Sequence, residues 1–147
     1  MTGKADFTSD EWELIREGPP TAGIVALMAE HGGTFRETWA LAKAYTEARQ
    51  AHGENELLDA LVSEKPDVKR YHSEEEAESQ GLGRLSEAVA LLEQKATADD
   101  VAAYRKFTLD VAQRVAAAHK EGGEAVSDAE RAAIERIEAS LYPSGSE

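Results

Sequence analysis

Apolar residues in this chain recur at intervals of three and four, and no stretch alternates apolar with polar residues between turn dipeptides. A period near 3.6 lays an apolar stripe along one side of a helix, whereas a half-buried strand needs a period of two. Leu82, Leu85, Val89 and Leu92 form such a stripe, and Val101, Tyr104, Thr108, Val111 and Val115 form another. Strong helix formers (Ala, Glu, Leu, Lys and Arg) fill much of the remainder. The fold class that follows is all-α, a single compact bundle of about seven helices.

Boundary signals divide the stripes. Thr8 and Glu11 have the spacing of a capping box, in which the hydroxyl caps the helix start and the carboxylate reaches back. Gly18-Pro19-Pro20 predicts the end of that first helix, because proline lacks an N–H and forces the preceding backbone to be extended. Pro20 then suits the first turn of a second helix over 21–31, with Ile24, Leu27 and Met28 inward and Gly32-Gly33 as its stop. A third helix follows over 35–51 on Leu41, Tyr45 and Ala48, and a fourth over 54–64 on Leu57, Leu58, Leu61 and Val62.

Residues 67–79 are mostly polar and predict a solvated helix, after which Gly81 and Gly83 allow a bend into the stripe ending near Lys95. Thr97 and Asp100 open a helix reaching about Lys120. Only a narrow polar strip through Lys106, Asp110 and Gln113 interrupts its apolar surface, which places this helix at the centre. The last helix starts at Ser127-Asp128-Ala129-Glu130 and turns Ile134, Ile137 and Leu141 inward until Pro143. Residues 1–143 are therefore expected to form one helical domain, with 144–147 a frayed tail.

The formal net charge of -13 limits the partners. So negative a surface repels phosphate backbones and anionic lipid, leaving basic proteins or cations as expected partners and nucleic acid as none. With no cysteine, thiol catalysis, zinc–thiolate sites and disulfides are excluded. No stretch approaches the ~20 apolar residues of a membrane span, and the first residues hold no apolar run, so a cytoplasmic location is expected. A phosphate-binding loop, a dinucleotide fingerprint, a Glu-x-x-His pair and a His-Glu-x-x-His motif are all missing from the sequence. The sequence leaves the oligomeric state open.

One arrangement occurs twice. Glu30-His31-Gly32-Gly33 precedes Thr34-Phe35-Arg36-Glu37, and Glu121-Gly122-Gly123 precedes Ser127-Asp128-Ala129-Glu130. Two accounts of these turns stand side by side. In the first, Glu37 and Glu130 close capping boxes at the positive ends of their helices, while His31 and His119 favour the negative ends of theirs. In the second, the turns meet, and Glu37, Glu130, Glu121 and Glu30, with His31 or His119, bind a divalent cation.

The paired helix–turn–helix units, with glycine in the turn and Glu37 or Glu130 at the following helix start, resemble the TerB-like family associated with tellurite resistance. The resemblance covers about residues 20–48 and 112–141. It implies a compact all-helical domain of two related halves with acidic residues clustered between them. Where that family has Asp-Gly, this chain has His31-Gly32 and Glu121-Gly122. The expected function is a non-enzymatic helical binding or stress-associated adaptor domain. The alternative is a metal-dependent or small-molecule-handling enzyme that uses the carboxylates and histidines at the two Gly-Gly turns.

Overall fold

The computed structural model describes residues 4–28, 35–51, 53, 55–64, 73–121 and 128–142. Among them there is no strand, and six helices follow a short 3-10 turn at Lys4–Asp6. They are α1 (Ser9–Met28), α2 (Phe35–Gln50), α3 (Glu56–Val62), α4 (residues 74–95), α5 (Ala98–Glu121) and α6 (Asp128–Ser140). Within α4, Glu74–Glu76 and Leu82–Lys95 are α-helical and Ala77–Gly81 forms a π turn. Residues 73–79 are thus the start of a helix whose Ala77 and Gly81 are buried, rather than a wholly solvated segment.

The expected break at Gly18-Pro19-Pro20 does not occur, and together with the continuity of residues 74–95 this leaves six helices among the described residues in place of about seven. Both prolines lie inside α1. Pro19 has no N–H to offer the carbonyl four residues back, which belongs to Ile15. The Tyr104 hydroxyl, on α5, donates to that carbonyl at 2.8 Å and satisfies it inside the core. Gly18 leaves the space through which the tyrosine reaches, since a Cβ there would lie 1.9 Å from the hydroxyl oxygen.

A continuous α1 also has a single core face. Trp12, Ile15, Pro19, Ala22 and Ala26 follow one another at three- and four-residue steps, and all are buried. Around the prolines the helix is enclosed on every side, with residues 17–23 all buried. Ile24, expected inward, is only half-buried because the uninterrupted helix has a different phase. The side chains of Leu27 and Met28 lie outside the described residues.

Enclosure explains why the prolines persist: the helix is held by its neighbours rather than by its own ladder. Tyr104→Phe should therefore cost about 1–3 kcal/mol, the penalty for a buried carbonyl without a donor. In a Pro19→Ala background the alanine N–H can serve Ile15, so the cost of Tyr104→Phe should shrink. Denaturant unfolding of the four-member mutant cycle reads this coupling. Equal costs in both backgrounds would show that the hydroxyl does not replace the missing amide.

α5 occupies the centre, as its sequence indicated, and contacts α1, α2, α3, α4 and α6. Two described helix starts carry reciprocal caps. Thr8 N–H donates to Glu11 and Glu11 N–H to the Thr8 hydroxyl, at 3.0 and 3.1 Å. The same exchange joins Thr97 and Asp100, at 3.3 and 3.1 Å. A buried carboxylate, Glu17, is neutralised from α4 by Arg84 at 2.7 Å. Glu64, just beyond α3, accepts from the Trp12 indole and pairs with Arg16, both at 3.0 Å, which ties α3 to α1.

Candidate binding trough beside the central helix

Asn55 performs two tasks at the start of α3. Its side-chain oxygen accepts from Leu58 N–H at 2.9 Å, and its amide group donates to Asp100 at 3.0 Å. Asp100 is itself buried in the first turn of α5, so this amide locks the beginnings of α3 and α5 together. Beyond that junction the end of α2, α3 and α5 diverge and enclose an open trough of about 720 Å³.

The trough's lining combines apolar and acidic side chains. Leu58, Phe107 and Leu109 line it together with the alanines at 48, 51 and 103, and Asp59, Asp99 and Asp110 bring carboxylates to it. Lys106 is its one lining cation among the described residues, and Asn55 and Gln113 complete the polar set. Phe107 is nearly buried and stacks edge-on against Tyr45, centroids 5.2 Å apart, which gives the floor a rigid base.

Two of the carboxylates are held in place. Asp59 accepts the Gly53 N–H at 2.8 Å, and Gly53 has a φ of +104°, a backbone region suited to glycine. Asp110 accepts from Arg114 one turn along α5 at 2.8 Å, and Arg114 also pairs with Glu47 of α2 at 2.7 Å. The Arg114 hydrogen bond holds the Glu47 carboxyl below its ordinary range, and the same bond raises the pKa of Arg114.

A smaller hollow of about 300 Å³ adjoins the trough and shares Lys106 and Leu109 with it. Tyr142 borders this hollow and is the exposed large apolar side chain among the described residues. Arg105 lies over its ring, 4.2 Å from the centroid, while donating to the Leu141 carbonyl and pairing with Glu93. Such stacking fixes the ring without enclosing it.

The residues singled out from the two Gly-Gly turns lie elsewhere. Tyr45 packs on Phe107 while Asn55, beyond the end of α2, reaches Asp100, and Arg105 reaches Leu141 beyond the end of α6, so α2 and α6 both run antiparallel to α5. Glu37 in the first turn of α2, Glu130 in the first turn of α6, and His119 and Glu121 at the end of α5 therefore occupy one end of the bundle. Their side chains lie outside the described residues, as do Glu30 and His31 altogether. Among the described residues, no three His, Asp or Glu side chains converge as a metal site would require. No described helix is long and apolar enough to cross a membrane.

The trough was only partly signalled in the sequence. Lys106, Asp110 and Gln113 were recognised as a polar strip on α5, but the strip borders a cleft rather than open solvent. Leu58 was expected inward with Leu57, Leu61 and Val62; those three are buried, whereas Leu58 is half-buried on the trough. An apolar residue one step off a buried stripe, facing a strip of mixed charge, is the signal that could have located it.

No family model, curated protein or solved structure matches the chain.

Proposed function

We propose that this protein is a non-enzymatic helical binding domain of the adaptor kind, and that the trough between α2, α3 and α5 is where it holds another protein. The observation that carries this reading is the trough's composition. Leu58 and Phe107 give the trough apolar surface, Asp59, Asp99 and Asp110 bring three carboxylates to it, and Leu109 lies across α5 on the margin shared with the neighbouring hollow. Such a surface offers apolar burial and charge together, the two contributions that hold a protein partner.

The resemblance to TerB-like domains supports the same class. The related halves it implies, and a divalent cation held by Glu37, Glu130 and their neighbours, belong to that proposal. A basic partner suits the net charge of -13, and the cytoplasmic location expected from the sequence belongs to the same proposal.

Affinity capture from native lysate with the wild type and Leu109→Glu tests the reading. Leu109 is half-buried on the margin that the trough shares with the neighbouring hollow, so a glutamate there puts negative charge on the lining, and circular dichroism checks that the fold survives the loss of its packing. A protein retained by the wild type and lost by the variant, with circular dichroism unchanged, is the expected result. Identical retention by both, or by neither, would remove the trough as the binding site.

A further inference from the structure

The trough's shape and charge narrow what it binds, on the assumption that it is a protein-binding site. We infer that its occupant is a cationic amphipathic helix of a partner protein, laid alongside α5. Length is the first argument. The lining residues of α5 extend from Asp99 to Gln113, a distance of roughly 21 Å at the rise of an α-helix, which matches about four turns of a docked helix. An open cleft between helices accepts a further helix through the same interdigitation that packs the bundle.

Charge is the second argument. Among the described residues the lining sets three carboxylates against one ammonium, with Asp110 also paired to Arg114, on a chain of net charge -13. A second copy of this chain is disfavoured as occupant, since it would bring Asp59, Asp99 and Asp110 against another acidic surface. A neutral apolar helix would cover the apolar lining but bring no cationic side chain to Asp59 and Asp99, which it would turn toward a low-polarity neighbour. A helix with an apolar stripe at i, i+3/i+4 and i+7, flanked by Lys or Arg, satisfies both layers. One acidic residue on its central turn would answer Lys106. The neighbouring hollow continues the path past Leu109 to Tyr142, whose exposed ring can take one further apolar or cationic side chain.

The experiment uses the full chain and three fluorescent peptides of equal length: a Leu/Lys amphipathic helix, its scrambled form of identical composition, and a Leu/Glu form of the same pattern. Anisotropy at low salt should show the cationic amphipathic peptide binding at least about 10-fold more tightly than either control, with affinity falling as salt rises. The double variant Asp59→Asn with Asp99→Asn should weaken it about 10-fold, and Leu109→Glu should weaken it at least as much.

The outcomes separate the two claims. Equal binding of the Leu/Lys and Leu/Glu peptides, both lost in Leu109→Glu, would overturn the cationic partner while leaving the trough as a docking site. Equal binding of the scrambled peptide, or binding that ignores Leu109→Glu, would overturn both. A dimer of the wild type by light scattering that Leu109→Glu dissociates would replace the partner with a second copy and overturn the inference. So would the absence of measurable binding by the Leu/Lys peptide.

Discussion

Gly18→Ala is expected to destabilise this protein by roughly 2–4 kcal/mol, although alanine is the better helix former by about 1 kcal/mol. The reversal comes from the crossing of α1 and α5. A Cβ on Gly18 would lie 1.9 Å from the Tyr104 hydroxyl oxygen and 3.0 Å from both Tyr104 Cζ and Leu85 Cδ1. Tyr104 cannot retreat without abandoning the Ile15 carbonyl that Pro19 leaves open, so the clash and the lost hydrogen bond come together.

Gly83 supplies the internal control. It too is helical, but it is exposed and a Cβ there would meet nothing within 4 Å. Gly83→Ala should therefore stabilise by something up to about 1 kcal/mol. Gly23, whose added Cβ would sit 3.2 Å from Val111, should fall between the two. Tyr104→Phe removes the atom in closest conflict, so adding it to Gly18→Ala should cost less than Tyr104→Phe alone. Urea unfolding of the series reads the order directly. Should Gly18→Ala prove as harmless as Gly83→Ala, Tyr104 does not reach α1 and the account of the prolines fails with it.

That crossing also marks the limit of what the sequence discloses. The all-helical class was legible because each stripe is a local property: Leu85, Val89 and Leu92 name a helix face without reference to anything distant. Caps were legible for the same reason, as Thr8 with Glu11 and Thr97 with Asp100 show. The local meaning of Gly18-Pro19-Pro20 is overruled by Tyr104, which reaches the Ile15 carbonyl from 89 positions along the chain. Proline's usual penalty assumes that the orphaned carbonyl stays orphaned, and nothing near residue 18 reveals a donor.

The trough was opaque for a related reason. Its lining joins Leu58 of α3 to Phe107 of α5, with Leu109 on the far margin, and its shape depends on Asn55 reaching Asp100 across the fold. A periodicity argument assigns each of those leucines to a core and cannot show that two helices diverge above them. The acidic residues near the Gly-Gly turns stand out in the sequence through repetition alone, and repetition of a Thr/Ser-x-x-Glu start is also what ordinary capping produces.

Alkaline pH should unfold this protein more steeply than an acidic chain of its size would suggest, and two tyrosines are the reason. Tyr104 is wholly buried, and its hydroxyl is pushed well above the ordinary tyrosine value of 10.0, chiefly by burial, with Tyr45 and Glu17 adding to the shift. Tyr45 is raised as well, again by burial first, against a partial counter-effect from Arg16 and Arg49. Both hydroxyls keep their protons in the folded state when the unfolded chain would release them. The folded form then binds more protons than the unfolded form, so stability falls as pH rises.

The loss begins near the unfolded value of 10.0 and continues toward the raised folded values. Each group contributes a slope of about 1.4 kcal/mol per pH unit in that window, or about 2.7 kcal/mol per unit for the pair. Below it their contribution is complete and independent of pH. Unfolding free energies at a series of pH values in the wild type, Tyr45→Phe and Tyr104→Phe isolate the effect from lysine titration, since each phenylalanine should remove one proton's share of the slope. Tyrosinate absorbance gives an independent check: at least two of the four tyrosines should withhold their ionisation until the helical signal is lost. If all four ionise together while the helices remain intact, the hydroxyls of Tyr45 and Tyr104 are open to water and the packing of α1 and α2 against α5 is not as described.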